Sequence, residues 1–142
     1  VIVPDLNVLV YAYDWSAPNH HPARTWWEQA ISDGTLVGLT WPVMHGYIRL
    51  MTHPRVMTRP LSASTALSDV REWLSRPTAT VLTPGPNHLQ ILERILSAAG
   101  TAADLTTDAV IAALAIENQA TLYSNDLDFA RFPGLRWVNP LD

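Results

Sequence analysis

Short apolar runs alternate along the chain with longer stretches whose apolar residues recur at helical spacing. Val1 to Pro4 is β-branched and continuous, the pattern of a strand buried on both faces. Leu6, Leu9, Val10 and Tyr13 then fall at helical spacing, which places Asp5 at a strand-to-helix turn. After the break at Asp14 to Asn19, a helix is predicted from Asn19–Pro22, with Ala23, Trp26, Trp27, Ala30 and Ile31 on one face and Asp33-Gly34 closing it. Thr35 to Thr40 reads as a second strand, Val43 to Thr52 as a helix, and His53 to Pro60 as a loop rich in Pro and Arg. Ser62 caps a strongly periodic helix that Pro77 ends, and Thr80 to Thr83 is a third strand. A helix marked by Leu89, Leu92, Ile95, Leu96 and Ala99 stops at Gly100. Ala109 to Ile116 is apolar all round, which predicts a central, buried helix. Thr121 to Ser124 and Leu135 to Asn139 complete the strands. This alternation predicts an α/β domain with a mostly parallel sheet and right-handed crossovers, spanning 1–142 as one unit.

Composition narrows the chemistry. The 142 residues suffice for a self-supporting core, and no apolar run approaches the ~20 residues that cross a bilayer. No signal-like start is evident, so a cytoplasmic protein is expected. Cysteine is absent, which excludes thiolate catalysis and Cys-ligated zinc. All nine basic residues are Arg. Without Lys there is no Walker A phosphate loop and no Schiff-base chemistry. The net charge of −4 argues against general coating of nucleic acid, but Arg49, His53, Arg55 and Arg59 lie close together and are candidates for RNA phosphate contacts. Trp15, Trp26, Trp27, Trp41 and Trp73 exceed the needs of a small core, leaving one or two for a partner helix or stacked bases.

The acidic residues form the most informative pattern. Asp5 and Asp126 each follow an apolar strand, and Asp108 opens the buried helix that precedes the second of those strands. In an open α/β sheet, such positions converge beyond the carboxyl ends of the strands. If helical, Asp104 and Asp108 would share one face. Each Asp alone could cap a helix or start a turn. Together they would repel one another unless a cation relieved the repulsion, and all-oxygen ligation selects Mg²⁺ or Mn²⁺. Such ions activate water and orient phosphodiesters, so metal-dependent phosphodiester hydrolysis is the chemistry that fits.

Asp5-Leu-Asn7-Val-Leu, Thr107-Asp108-Ala-Val-Ile-Ala-Ala-Leu-Ala and Tyr123-Ser124-Asn125-Asp126-Leu-Asp128-Phe129 resemble the blocks of PIN-domain nucleases, above all the VapC-type ribonuclease toxins. The resemblance runs the length of the chain, through Arg49-Leu-Met-Thr-His53-Pro-Arg55 and Phe129 to Arg136. It implies a five-stranded α/β/α sandwich, a Mg²⁺- or Mn²⁺-dependent endoribonuclease acting on structured RNA (tRNA or rRNA), a VapB-type antitoxin and a toxin homodimer. On the resemblance, Asp5, Asp108 and Asp126 match the family's carboxylates and Asp104 an additional polar position. Asn7, Ser124 and Asn125 are supporting residues, and Asp128 anchors the loop carrying Phe129. One position departs from the pattern. Relatives supply a Glu three residues before the Arg equivalent to Arg49, and this chain has Gly46 there, beside His45. Asp104, water or His45 would replace that ligand, or the domain would bind RNA or antitoxin without cutting.

Overall fold

The computed structural model describes residues 1–142. Strand β1 (Ile2–Pro4) leads into α1 (Leu6–Tyr13) and α2 (His20–Ala30), and β2 (Val37–Leu39) into α3 (Trp41–Met51) and α4 (Ala63–Ser75). Strand β3 (Ala79–Val81) is followed by α5 (His88–Ala99), a 3-10 turn (Ala103–Leu105) and α6 (Thr106–Glu117). Then come β4 (Thr121–Tyr123), a second 3-10 turn (Leu127–Arg131) and β5 (Arg136–Val138). All five strands are parallel, in the order β3-β2-β1-β4-β5. The predicted α/β sandwich is what forms. The strands are shorter than the apolar runs that mark them, because ladder pairing ends where the flanking residues turn into helices.

Chain direction sets the layers. The path from β1 through β2 to β3 moves toward one sheet edge, and the return from β3 to β4 crosses back past β1. Right-handed crossovers therefore put α1–α4 on one face and α5–α6 on the other. Strands β1 and β4 lie side by side, and the chain leaves them toward opposite edges. That switch point is where a crevice opens at the carboxyl ends of the strands.

Two signals in the sequence end elements as expected. The Ser62 hydroxyl accepts from the Thr65 N–H and caps α4. Gly100 stops α5 in the left-handed region at φ 79°, open to Gly at no steric cost. Helix α6 is buried along Ala109 and Ile111 to Ala115, as its unbroken apolarity predicts.

The tryptophans divide between core and surface. Trp27 and Trp73 are fully buried, and both donate their indole N–H to the Tyr13 hydroxyl, at 3.2 and 2.8 Å. Tyr47 packs edge-on against Trp73 and donates to Asp69 at 2.6 Å. This satisfies the polar tips that would otherwise make aromatic burial costly. Trp15 and Trp41 are exposed. No helix is long and apolar enough to cross a membrane.

Candidate metal centre

Asp5 follows β1 directly, and its N–H donates to the Tyr123 carbonyl at 2.9 Å, so Asp5 is level with the end of β4. Its side chain makes no hydrogen bond that caps α1. Instead Oδ2 accepts from the buried Ser124 hydroxyl at 2.7 Å. Ser124 Oγ also accepts from the Asp126 N–H at 3.0 Å and from Asn7 Nδ2 at 3.4 Å. Asn7 Oδ1 takes the Asn125 N–H at 3.3 Å. One buried hydroxyl thus ties the turn after β1 to the turn after β4, and Asn7 braces the same junction from the first turn of α1.

Asp126 has a double role. Its Oδ1 accepts from the Asp128 N–H at 2.9 Å and so caps the 3-10 turn. Its second oxygen takes no hydrogen bond within the chain, leaving it for a ligand. Asp128 is exposed and sits 3.7 Å from Arg131, while Phe129 between them is buried. Asp108 lies in the first turn of α6, where the helix dipole favours a negative charge.

The electrostatics show which carboxylates share a field. Burial pushes the Asp108 carboxyl up to about 6, and the charges of Asp5, Asp126 and Asp128 add to the rise. Asp5 is also raised, chiefly by burial, against the hydrogen bonds from Ser124 and the Leu6 N–H, with Asp126 contributing. Asp5, Asp108 and Asp126 are therefore mutually repelling anions at one crevice. No three acidic or histidine side chains stand close enough to surround an ion unaided.

Asp104 is placed differently from the expectation. It is exposed, lies in the 3-10 turn and is not among the charges that raise Asp108. Ala103, at φ 38°, starts the 3-10 turn that carries Asp104, and α6, which carries Asp108, begins only at Thr106. Asp104 is thus exposed on the turn ahead of the helix and not within α6 itself. His45 lies on the outer, solvent-facing row of α3. It is exposed, tilted against Trp41, and turned about 100° around the helix from its neighbour Gly46.

Gly46 is explained by packing. A Cβ there would lie 2.7 Å from Leu6 Cδ2, so α3 approaches the start of α1 through a position without a side chain. Leu6 fills the space beside Asp5 that a longer residue at 46 would need. Thr40, at the carboxyl end of β2, went unnoticed in the sequence pattern. It is buried, and its hydroxyl is the one buried side-chain polar atom without a partner. A Thr at a strand end before Trp-Pro signals a helix cap, yet its side chain makes no capping bond. Arg49 and Arg55 are exposed, and His53 Nδ1 accepts from the Arg55 N–H at 3.1 Å.

Comparison with known proteins adds lineage to this geometry. The family model described as "PIN domain" matches residues 2–135. Ribonuclease VapC33 of Mycobacterium tuberculosis is 45% identical over 141 residues, covering 99% of each chain. Ribonuclease VapC37 of the same species is 39% identical, covering 97% of this chain and 96% of the relative. Among solved structures, VapBC2 from Rickettsia felis, bound to a DNA fragment from their promoter, superposes with a TM-score of 0.66 at 17% identity, covering 97% of each chain. At that identity the likeness speaks for the fold alone. With the full-length relatives and the family match, it follows that the chain belongs to the PIN domain family, among its VapC-type members.

Proposed function

We propose that the chain is a divalent-metal-dependent endoribonuclease, the toxin of a type II toxin–antitoxin pair, acting as one domain in the cytoplasm on structured RNA such as tRNA or rRNA. The observation that carries the reading is the group Asp5, Asp108 and Asp126, whose like charges meet at the switch point of a parallel sheet.

The donor set fits Mg²⁺ or Mn²⁺. It offers only carboxylate oxygens, and a cation relieves the repulsion that raises Asp108. Asp5, Asp108 and Asp126 would hold the ion, with water and RNA oxygens completing its shell, since Mg²⁺ commonly keeps several waters. When bound, such an ion polarises the phosphodiester and lowers the pKa of water. The chain's own residues do the rest by position. Ser124 donates to one Asp5 oxygen and so fixes the orientation of the carboxylate. Asn7 and the Asn125 N–H hold the two turns at constant separation. Asp126, capped onto the 3-10 turn, presents its second oxygen.

A VapB-type antitoxin and a toxin homodimer belong to the same reading. Support comes from the full-length match to VapBC2 and from an apolar groove of about 530 Å³. Tyr13, Trp15, Met51, Met57 and Leu61 line it, with Arg59 also present, a surface suited to an amphipathic helix. The rival, a PIN domain that binds without cutting, is favoured by Gly46 alone.

The test incubates purified protein with total small RNA and Mg²⁺ or Mn²⁺, mapping new ends by sequencing. Asp5→Asn and EDTA serve as controls. Discrete ends that vanish in both controls support the nuclease. Identical ends in wild type and variant under every metal would leave only the binding role.

A further inference from the structure

We infer that the exposed face of α3 is the track along which a single-stranded segment of RNA enters the crevice, with Trp41 as the base-stacking platform and Arg49 as a phosphate contact. This rests on the RNA reading above but concerns residues outside the carboxylate group.

The first observation is charge. The chain has 13 acidic residues, yet none occurs between Asp33 and Asp69. Within that interval fall Arg49, Arg55 and Arg59 together with His45 and His53. An acidic protein therefore carries one long stretch with no carboxylate. Arg49, Arg55 and Arg59 form no ion pair, a trait they share with Arg71, Arg94 and Arg136, but they alone lie in the stretch without a carboxylate. Unpaired guanidinium groups free of acidic neighbours are what an anionic backbone requires.

The second observation is geometry. Trp41, His45 and Arg49 are spaced four apart and all exposed, so they form one row on the outer face of α3, roughly 6 Å between neighbours. The Trp41 ring lies 5.4 Å from the His45 ring, tilted by 33°. Trp41 is 45% exposed, which leaves an indole face free for a base. The inner face of the same helix carries Val43, Met44, Gly46, Tyr47 and Met51, all buried, so the helix packs on the core through that face and the outer row stays open to solvent.

The third observation is continuity. Trp41 follows Thr40 at the carboxyl end of β2, and β2 is the direct neighbour of β1, whose carboxyl end bears Asp5. The row thus starts at the edge of the sheet where the carboxylates meet and runs away from it. An aromatic next to the crevice, followed by cations, is the order that strand-tracking sites use: the base stacks and the backbone is neutralised. An acidic peptide would satisfy the cations but would give Trp41 no planar partner.

The test measures fluorescence anisotropy of a labelled oligouridylate in EDTA, on protein carrying Asp5→Asn so that nothing is cut. Trp41→Ala should weaken binding ~5- to 100-fold, and Trp41→Phe should retain it within about threefold. Arg49→Gln should reduce the salt slope by about one. Both positions are exposed, and unchanged far-UV circular dichroism and melting temperature would exclude misfolding as the cause. Wild-type affinity in both Trp41→Ala and Arg49→Gln would overturn the inference. So would a shift of Trp41→Ala from dimer to monomer in sedimentation, which would make the row a subunit interface. Neither metal nor cleavage enters the measurement, so failure here leaves the nuclease reading intact, and failure to cut RNA leaves this result standing.

Discussion

Asp108→Asn should make the metal-free protein more stable while destroying its cation site. In the fold, Asp108 is raised from 3.8 to about 6, first by burial and then by Asp5, Asp126 and Asp128. Two units correspond to ~3 kcal/mol at 1.36 kcal/mol per unit. Asp108 is only half-buried, and solvent screening reduces this to ~1–2 kcal/mol. The folded value lies above the unfolded one, so the native state is favoured when the group is protonated. That contribution is complete below about pH 4 and is lost as the pH rises through about 6. Asparagine keeps the shape and never ionises. At pH 7.5 in EDTA, Asp108→Asn should therefore exceed wild type by ~1–2 kcal/mol, a melting temperature ~3–8 °C higher for a chain of this size. At pH 3.5 the two should nearly coincide. Saturating Mg²⁺ should reverse the order, since only wild type gains the binding term, ~2.7 kcal/mol at a hundred times Kd. Differential scanning fluorimetry across pH, with EDTA or Mg²⁺, reads all four corners. A variant less stable than wild type in EDTA at pH 7.5, or one with the same advantage at both pH values, would refute the reasoning.

Three further substitutions probe separate parts of the site. Ser124→Ala removes a buried hydroxyl that donates to Asp5 and accepts from the Asp126 N–H, and urea melts should show a loss of ~1.5–3 kcal/mol. The same variant should lose kcat more than KM, because it disorders Asp5 rather than RNA contacts; equal loss in both would point to general disruption. Gly46→Ala meets Leu6 Cδ2 at 2.7 Å, the free end of a half-buried side chain, so displacing Leu6 offsets much of a helix gain of ~1 kcal/mol and the net change in stability should be under about 1 kcal/mol. In a Leu6→Ala background the clash disappears and Gly46→Ala should stabilise by ~1 kcal/mol; additive effects in the double-mutant cycle would contradict the packing account. Asp104→Asn, on an exposed turn outside the shared field, should change Mn²⁺ affinity by less than about twofold. A large loss in calorimetric titration would return Asp104 to the site.

Much of this architecture is legible from pattern, and the exceptions have identifiable causes. Strand positions, the Ser62 cap, the Gly100 stop and the burial of Ala109 to Ala115 follow from local rules, because each depends on a residue and its near neighbours. The meeting of Asp5 with Ser124 follows from topology once β1 and β4 are adjacent. Asp104 stands in a 3-10 turn ahead of α6 rather than in the helix itself, a distinction that the spacing of Asp104 and Asp108 alone does not reveal. The role of Gly46 depends on Leu6, a contact between two helices 40 residues apart in the chain, which periodicity cannot supply. The same holds for Tyr13, which looks like one more apolar helical position yet accepts hydrogen bonds from Trp27 and Trp73. Trp41 and Trp15 read like core aromatics by composition, and only burial separates them from Trp27 and Trp73.

The central claim is that Asp5, Asp108 and Asp126 form one divalent-cation site. Titration of Mn²⁺ into wild type, Asp5→Asn and Asp108→Asn at pH 7.5, followed by electron paramagnetic resonance of the free ion, tests it most directly. The account predicts saturable binding to wild type that weakens by more than about tenfold in each variant, since each removes a charged ligand from a site with few others. Equal affinity in all three proteins would contradict it.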